Sequence, residues 1–245
     1  MIISTKGIVI SKIKFKDSDL IVKCYTSSNG ILSFLVKGAL NSKKGKFKPA
    51  YFQPLTMLKM EIDFKENRDL HYIRGVRISS NYGSLHTVIF KSTVAIFLAE
   101  VLSMVLREEE ANNDLFTFIE TALLMFDSID SIPYFHHKFL MALTRYIGFS
   151  PDSSNSEYPF FNLQSGLYEI SDSGRYCISG DKLRLFKTTL GMEFDKEKGE
   201  LLTSSQKQEL LEMILLYFKL HLQGFKSPKS LNILNQVFNL SLIHI

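Results

Sequence analysis

The chain has 245 residues, 45% of them hydrophobic, with 20 Phe, 10 Tyr, no Trp and a net charge of +4. That length suits one large domain or two smaller ones, and the composition can fill a sizeable core. Two unpatterned cysteines, Cys24 and Cys177, exclude a disulfide framework or a thiolate metal site, and the longest apolar run, Val94–Leu106, contains Glu100 and is too short for a bilayer span of roughly 20 residues.

The first elements read as strands. Lys6–Phe15 and Leu20–Tyr25 are rich in β-formers and are joined by the polar stretch 16–19. Ser27-Ser-Asn-Gly30 is a turn signal that leads into Ile31–Lys37. A fourth strand alternates cleanly. Leu58, Met60, Ile62 and Phe64 fall on one face, and Lys59, Glu61, Asp63 and Lys65 on the other, as in a half-buried antiparallel strand. Asn67-Arg-Asp69 turns the chain, and Leu70–Ile78 returns. Five strands with a long loop after the third predict a small, partly open barrel of the OB type. An SH3-like barrel has a similar strand count, and periodicity alone does not separate the two.

Charge is divided along the chain. Residues 1–80 carry 15 Lys plus Arg against 6 Asp plus Glu, whereas residues 81–245 carry 14 against 19. Between Gly38 and Lys48 stand Lys43, Lys44, Lys46 and Lys48 with no acid among them. Such concentration on a barrel is the footprint of a phosphate-backbone binder. A solvated loop that keeps the chain dispersed is the plainer alternative.

From residue 84 the period becomes helical. His86–Arg107 places Val88, Ile89, Val94, Ile96, Phe97, Val101, Leu102 and Val105 at helical spacing. Asp114 is positioned to cap a helix over Leu115–Phe126, and Ser131-Ile-Pro133 to open another over Tyr134–Ile147, closed by Gly148. A polar loop at 150–157 precedes a short hairpin over Phe160–Ser171 and Gly174–Ile178. Helices follow over Leu183–Leu190, over Ser205–Leu222, and from Ser227-Pro228 to Phe238. The expected class is α+β: an OB-type barrel domain at 1–80, then a mostly helical domain at 81–245 with a small β-hairpin insertion.

No enzyme site assembles from these residues. The six His are scattered, and His136 and His137 are adjacent, which points them about 100° apart on a helix rather than onto one metal. They read as a surface or boundary pair. There is no phosphate-binding Gly-rich loop, no dinucleotide fingerprint and no nucleophile elbow. The N-terminus lacks the pattern of a secretory signal. The expectation is a non-catalytic protein of the cytoplasm, with no cofactor.

Several segments then occur in an informative order. They are Lys6-Gly-Ile-Val-Ile-Ser-Lys12, Asp17-Ser-Asp-Leu-Ile-Val-Lys23, Gly30-Ile-Leu-Ser-Phe-Leu-Val-Lys-Gly-Ala39, Gln53-Pro-Leu-Thr-Met-Leu58, Arg68-Asp-Leu-His-Tyr-Ile-Arg74 and, far downstream, the stretch from Tyr217 to Leu231. Together they resemble the bacterial recombination mediator RecO, of the RecF pathway. The resemblance implies an OB barrel followed by a helical domain with a zinc-finger-like insertion. It also implies binding of single- and double-stranded DNA, annealing of complementary strands, and nucleoid association. The implied partners are the acidic C-terminal tail of the single-strand-binding protein SSB, RecR and, indirectly, RecA, with no membrane. Many RecO proteins carry four cysteines in the insertion. Here the matching region, about 151–178, has only Cys177, so no metal is expected and Phe160, Phe161, Leu163 and Tyr168 must hold it by packing.

An annealer holds two strands whose phosphates repel while leaving base edges free, which lysines on a groove accomplish. The residues expected to contact DNA are Lys12, Lys37, Lys43, Lys44, Lys46, Lys48, Arg74 and Arg77. Tyr25 and Phe34 lie in apolar runs and read as barrel core, with base stacking the alternative. Lys219, Lys226 and Lys229 around Leu222 and Phe225 form a candidate pocket for the SSB tail, an acidic peptide with a terminal carboxylate. Its alternative is a helix end whose cations answer the macrodipole. A reading from another class remains: an adaptor whose basic barrel meets an acidic protein instead of DNA.

Overall fold

A computed structural model of the chain describes residues 1–41, 47–106, 111–129, 134–190 and 202–240. Five strands, β1 (Ile2–Phe15), β2 (Asp19–Thr26), β3 (Gly30–Val36), β4 (Met57–Asp63) and β5 (His71–Ile78), close a barrel in the order β1-β2-β3-β5-β4. The strand β1 serves both sides. Ile2–Ile8 pairs with β4 and Gly7–Phe15 with β2, and a bulge between Val9 and Ser11 supplies the bend. All pairings are antiparallel except β3 with β5, which meet in parallel at Phe34↔His71 and Leu35↔Tyr72. This order and this one parallel seam are those of the OB barrel, and they settle the question that strand count left open.

The alternation of β4 is realised: Leu58, Met60 and Ile62 are fully buried, and Lys59 and Glu61 are exposed. With Val9, Val22, Cys24 and Phe34 they form the barrel core, joined by Phe52 from a single 3-10 turn, Pro49–Phe52. Phe34 belongs to this barrel core, whereas Tyr25 is buried outside it. Tyr25 packs against Phe116 and donates its hydroxyl to the carbonyl of Asn112 at 3.1 Å.

Two compact units are present. The first comprises Met1–Ser128 with Pro228–Ser230, so the helices α1 (Ile89–Val105) and α2 (Asn113–Ser128) belong with the barrel, and the change of composition near residue 80 lies inside this unit. Its joint is the carboxylate of Asp127, which accepts the N–H groups of Gly83, Ser84 and Leu85 at 2.7–2.8 Å. Burial opposes ionisation of Asp127, but these donors and the Ser84 hydroxyl outweigh it and hold the carboxyl below the usual range. The buried Lys91 donates to the Asp127 carbonyl at 2.9 Å and to the Ser84 hydroxyl at 2.7 Å. Lys6 on β1 reaches Glu120 on α2 at 2.9 Å.

The second unit holds the other described residues. Its elements are α3 (Phe135–Tyr146), strands β6 (Phe160–Asn162), β7 (Leu167–Glu169) and β8 (Cys177–Ser179) in the sheet order β7-β6-β8, then α4 (Gly180–Lys187), α5 (Ser204–His221) and α6 (Leu231–Leu240). The small sheet is set on aromatic rings. Phe161 is fully buried, 4.9 Å from Tyr168 and 5.2 Å from Phe186. Tyr217 lies 6.5 Å from Phe161 and donates to the Phe149 carbonyl at 2.8 Å. Gly166 turns the β6–β7 hairpin at φ +73°, and a Cβ there would stand 2.9 Å from the Tyr217 hydroxyl, so both the backbone and the space require glycine.

Five expectations are corrected. The cap of α2 is Asn112, whose Oδ1 accepts the Leu115 N–H at 2.9 Å, and Asp114 sits inside the first turn. The last helix begins at Leu231 rather than at Pro228, because the N–H groups of Lys229 and Ser230 are held by the Glu100 carboxylate at 2.8 and 2.9 Å. The 174–178 arm of the hairpin is instead a third strand, β8, and α4 starts earlier than expected, at Gly180. Finally, His136 and His137 are a buried pair and not a surface one, their rings 4.1 Å apart.

This burial has a consequence for pH. The Nε2–H of His137 donates to the Lys207 carbonyl at 2.9 Å, which leaves Nδ1 as a buried acceptor. Burial, more than any neighbouring charge, pushes the His137 imidazole down to about 4 and that of His136 well below its ordinary value. The unfolded chain takes up these protons near pH 6.5 and the folded chain does not, so stability is full above that pH and is lost as pH falls toward 4. For His137 alone the loss at pH 5 is about 2 kcal/mol, or roughly 4–8 °C in melting temperature. Thermal melts at pH 7 and pH 5 should show that drop, and a His137→Gln variant should show a smaller one; a flat profile in the unaltered protein would contradict the buried neutral pair.

Candidate nucleic-acid interface

The barrel register sorts outward side chains into rows, because residues opposite one another across a ladder point to the same face. One row crosses four strands: Ile13, Ile21, Leu35 and Tyr72, on β1, β2, β3 and β5. Ile13 is 60% exposed and Tyr72 40%, and Ile21 and Leu35 are half-buried. The adjoining row is polar, with Ser11, Lys23 and Ser33. Lys37, just beyond β3, places its ammonium 5.6 Å from the centre of the Tyr72 ring. Arg74 is exposed two residues further along β5 and meets Asp63 at 3.6 Å. The result is an exposed aromatic at the end of an apolar stripe, bordered by three cations. A base can lie on Tyr72 while its phosphates meet Lys23, Lys37 and Arg74.

A second face lies across β1, β4 and β5. Lys6, Lys59 and Arg77 stand directly opposite one another in register. Like charges so placed repel, and Glu120 relieves Lys6 alone. Beside them runs a groove of about 480 Å³, lined by Ser4, Lys59, Glu61 and Arg77 and opened by Gly75, which contributes no side chain. The strand β5 borders both faces, with Tyr72 and Arg77 about 16 Å apart along it.

The expected DNA contacts therefore do not form one cluster. Lys37 and Arg74 flank Tyr72, while Arg77 lies in the second face. Lys12 is exposed on β1 beyond the bulge, opposite Val22, and partial burial of its surroundings lowers its pKa. Lys48 is exposed at the start of the 3-10 turn, and Lys43, Lys44 and Lys46 lie outside the described residues. Lys6, Lys23, Lys59 and Tyr72 are additions that the sequence reading missed. The alternation of β5, with His71 and Ile73 buried and Tyr72 and Arg74 exposed, is the signal that could have found Tyr72.

The residues expected to hold an acidic tail divide between the units. Lys219, Leu222, Phe225 and Lys226 belong to the second and Lys229 to the first. Lys219 and Lys226 are exposed, and Leu222 is half-buried. Phe225 is buried, 5.5 Å from Phe218. Among the described residues, no group of three or more His, Cys, Asp or Glu side chains is placed to hold a metal ion, and no helix is long and apolar enough to cross a membrane.

Comparison with known proteins agrees with this architecture. Residues 1–82 match the family model "Recombination protein O N terminal", and residues 86–231 match "Recombination protein O C terminal". The chain belongs to the RecO family. A DNA repair protein RecO from Christiangramia forsetii is 42% identical over 97% of this chain and its own full length. One from Flavobacterium psychrophilum is 43% identical over 98% of this chain, and one from Bacteroides fragilis is 30% identical over 98%, each across its full length. Membership of RecO supports a role in DNA repair and recombination.

Removing the aromatic tests the apolar face. Tyr72→Ala should weaken single-stranded DNA by about 1–3 kcal/mol, or five- to 150-fold, while Tyr72→Phe keeps most of the affinity. Fluorescence anisotropy with a labelled oligothymidine reads this directly, and equal affinity of all three proteins would remove Tyr72 from the interface.

Proposed function

We propose that this protein is a recombination mediator that binds single- and double-stranded DNA on its barrel, anneals complementary strands and, with RecR, helps load RecA onto SSB-coated DNA. The observation that carries the reading is the pair of outward faces on one OB barrel of a RecO-family chain: an aromatic-apolar row bordered by Lys23, Lys37 and Arg74, and a rung of Lys6, Lys59 and Arg77. Annealing asks for two phosphate tracks and no covalent chemistry, and the two faces offer two tracks joined by β5. Neither grips the Watson–Crick edges, which must stay free to pair.

Contacts of this kind release counterions. With about four to six phosphates engaged, log affinity for single strands should fall against log salt with a slope near −3 to −4. Replacing Lys43, Lys44, Lys46 and Lys48 together by Ala should flatten that slope and weaken all sequences alike. An unchanged slope moves the site off that loop, and the absence of any oligonucleotide shift favours the adaptor that meets an acidic protein.

Capture of the SSB tail is the second part of the reading. The support is the exposed cations Lys219, Lys226 and Lys229 beside the apolar Leu222 and Phe225 in the sequence, set in a part of the chain that is acidic overall. Several cations on one terminal carboxylate contribute about 2–3 kcal/mol. Substituting Lys226 and Lys229 by Glu should cut affinity for an acidic C-terminal peptide about tenfold or more, with naked-DNA binding little changed. If the double variant loses DNA and keeps the peptide, the two surfaces have been assigned the wrong way round.

A further inference from the structure

The strand β5 carries a bulge that sets the two outer faces of the barrel apart. Along β4, Asp63 pairs with Tyr72 and Ile62 with Ile73, but Glu61 pairs with Gly75, so Arg74 is the extra residue. The alternation of β5 is reset there. Ahead of the bulge Tyr72 and Arg74 face outward, with His71 and Ile73 buried. Past it the outward positions are Gly75 and Arg77, opposite the exposed Glu61 and Lys59, and Val76 packs against the core. Without the extra residue, the period of two would turn Arg77 inward and away from Lys59.

The faces on either side of this bulge present different side chains. The first offers Tyr72 at the end of the row Ile13, Ile21 and Leu35, with Lys23, Lys37 and Arg74 at its border. The second consists of the rung Lys6, Lys59 and Arg77 and the adjoining row Ser4, Glu61 and Gly75, and neither row contains a ring or a large apolar group. Strands about 4.8 Å apart put the ends of the rung about 10 Å from each other. Glu120 already holds Lys6 at 2.9 Å, which leaves Lys59 and Arg77 as the principal phosphate contacts. Glu61, in the next row, repels phosphates and so confines a strand to the rung.

We infer that the two faces divide the forms of DNA: the Tyr72 face takes the unpaired strand, and the rung of Lys59 and Arg77 takes the backbone of a duplex. This rests on the reading of the barrel as the DNA-binding domain and assigns what each face holds. Stacking on a ring is open to the bases of a single strand, whereas in a duplex each base is closed between its neighbours, so Tyr72 favours the unpaired strand. A rung without rings forgoes that gain. Duplex DNA carries one charge per about 1.7 Å of axis, and each neutralised phosphate releases about 0.9 counterion against about 0.7 for a single strand, so cations alone favour the duplex. The rung of about 10 Å matches the axial rise of about three phosphates on one duplex strand, at about 3.4 Å each. Cations held in line by a sheet suit a partner that is itself stiff. An unpaired strand thus lies over Tyr72 and the paired product rests about 16 Å further along β5.

The test uses the full-length protein and fluorescence anisotropy over a series of salt concentrations, with labelled oligothymidine as the single strand and a labelled blunt-ended duplex. Lys59→Gln combined with Arg77→Gln should weaken the duplex about tenfold or more, lower its log–log salt slope by about 1.8, and change the single strand less than about twofold. Tyr72→Ala should do the reverse, weakening the single strand about fivefold or more and the duplex less than about twofold. Lys59→Gln alone, with about half the change in slope, serves if the double variant folds poorly. The opposite selectivity, or equal weakening of both DNAs by a variant that melts as the unaltered protein does, overturns the division of the faces while leaving DNA on the barrel. If no variant alters the binding of either DNA, the barrel reading fails and this assignment with it, so the two failures are distinguishable.

Discussion

The barrel depends on a narrow seam. The strands β3 and β5 meet over only two residue pairs, Phe34↔His71 and Leu35↔Tyr72, and that parallel contact closes the cylinder. The first pair faces inward, where Phe34 and His71 are buried with ring centres 6.2 Å apart, and His71 stacks on Phe64 at 5.2 Å. The second pair faces outward and completes the apolar row. Core closure and the outer surface are thus two sides of one two-residue contact. A change that slipped its register by one residue would turn Tyr72 inward and His71 out, exchanging the contents of core and surface.

The second unit meets a different demand, the anchoring of a three-stranded sheet too small to stand alone. It does so with rings. Phe149, Phe161, Phe186, Tyr217 and His221 form a continuous cluster, with Phe149 and His221 stacked at 5.4 Å, and the His221 ring bonds the Leu163 carbonyl at 3.0 Å. Aromatic pairs add about 0.5–1.5 kcal/mol each beyond the area they bury. The helix α5 supplies two of these rings and begins at a reciprocal capping box between Thr203 and Gln206, which fixes where its rings project.

Most of the fold was legible in the sequence because it rests on local periodicity. The alternation of Leu58 through Phe64 and the helical spacing of Val94 through Val105 each declare their own element. Strand order does not, since it arises from pairing between residues far apart in the chain, and OB and SH3-like barrels parted only at the β3–β5 contact. Helix boundaries failed where a partner from elsewhere intervened: Glu100 holds the N–H groups ahead of α6, and the Asn112 carboxamide outcompetes Asp114. The histidine pair misled because a polar residue type says little about burial once its ring nitrogen finds a backbone carbonyl. The interface was legible in its charge but not in its geometry. Lysine content pointed the proposed interface to the barrel, whereas the distribution of Lys37, Arg74 and Arg77 over two faces needed the register.

Asp127 bears on how such proteins can be taken apart. The family match divides the chain between residues 82 and 86, and this carboxylate gathers the backbone of Gly83, Ser84 and Leu85 from a position more than forty residues further on. A fragment ending at residue 82 would leave Lys6 without Glu120, and the Tyr25 hydroxyl without the Asn112 carbonyl. The compact unit that holds the barrel also includes α1, α2 and Pro228–Ser230, whose backbone the Glu100 carboxylate holds. Chimeras that exchange barrels between relatives should carry α1 and α2 along and keep the Pro228–Ser230 match to Glu100, because a graft at the sequence boundary would part the barrel from the helices of its own unit.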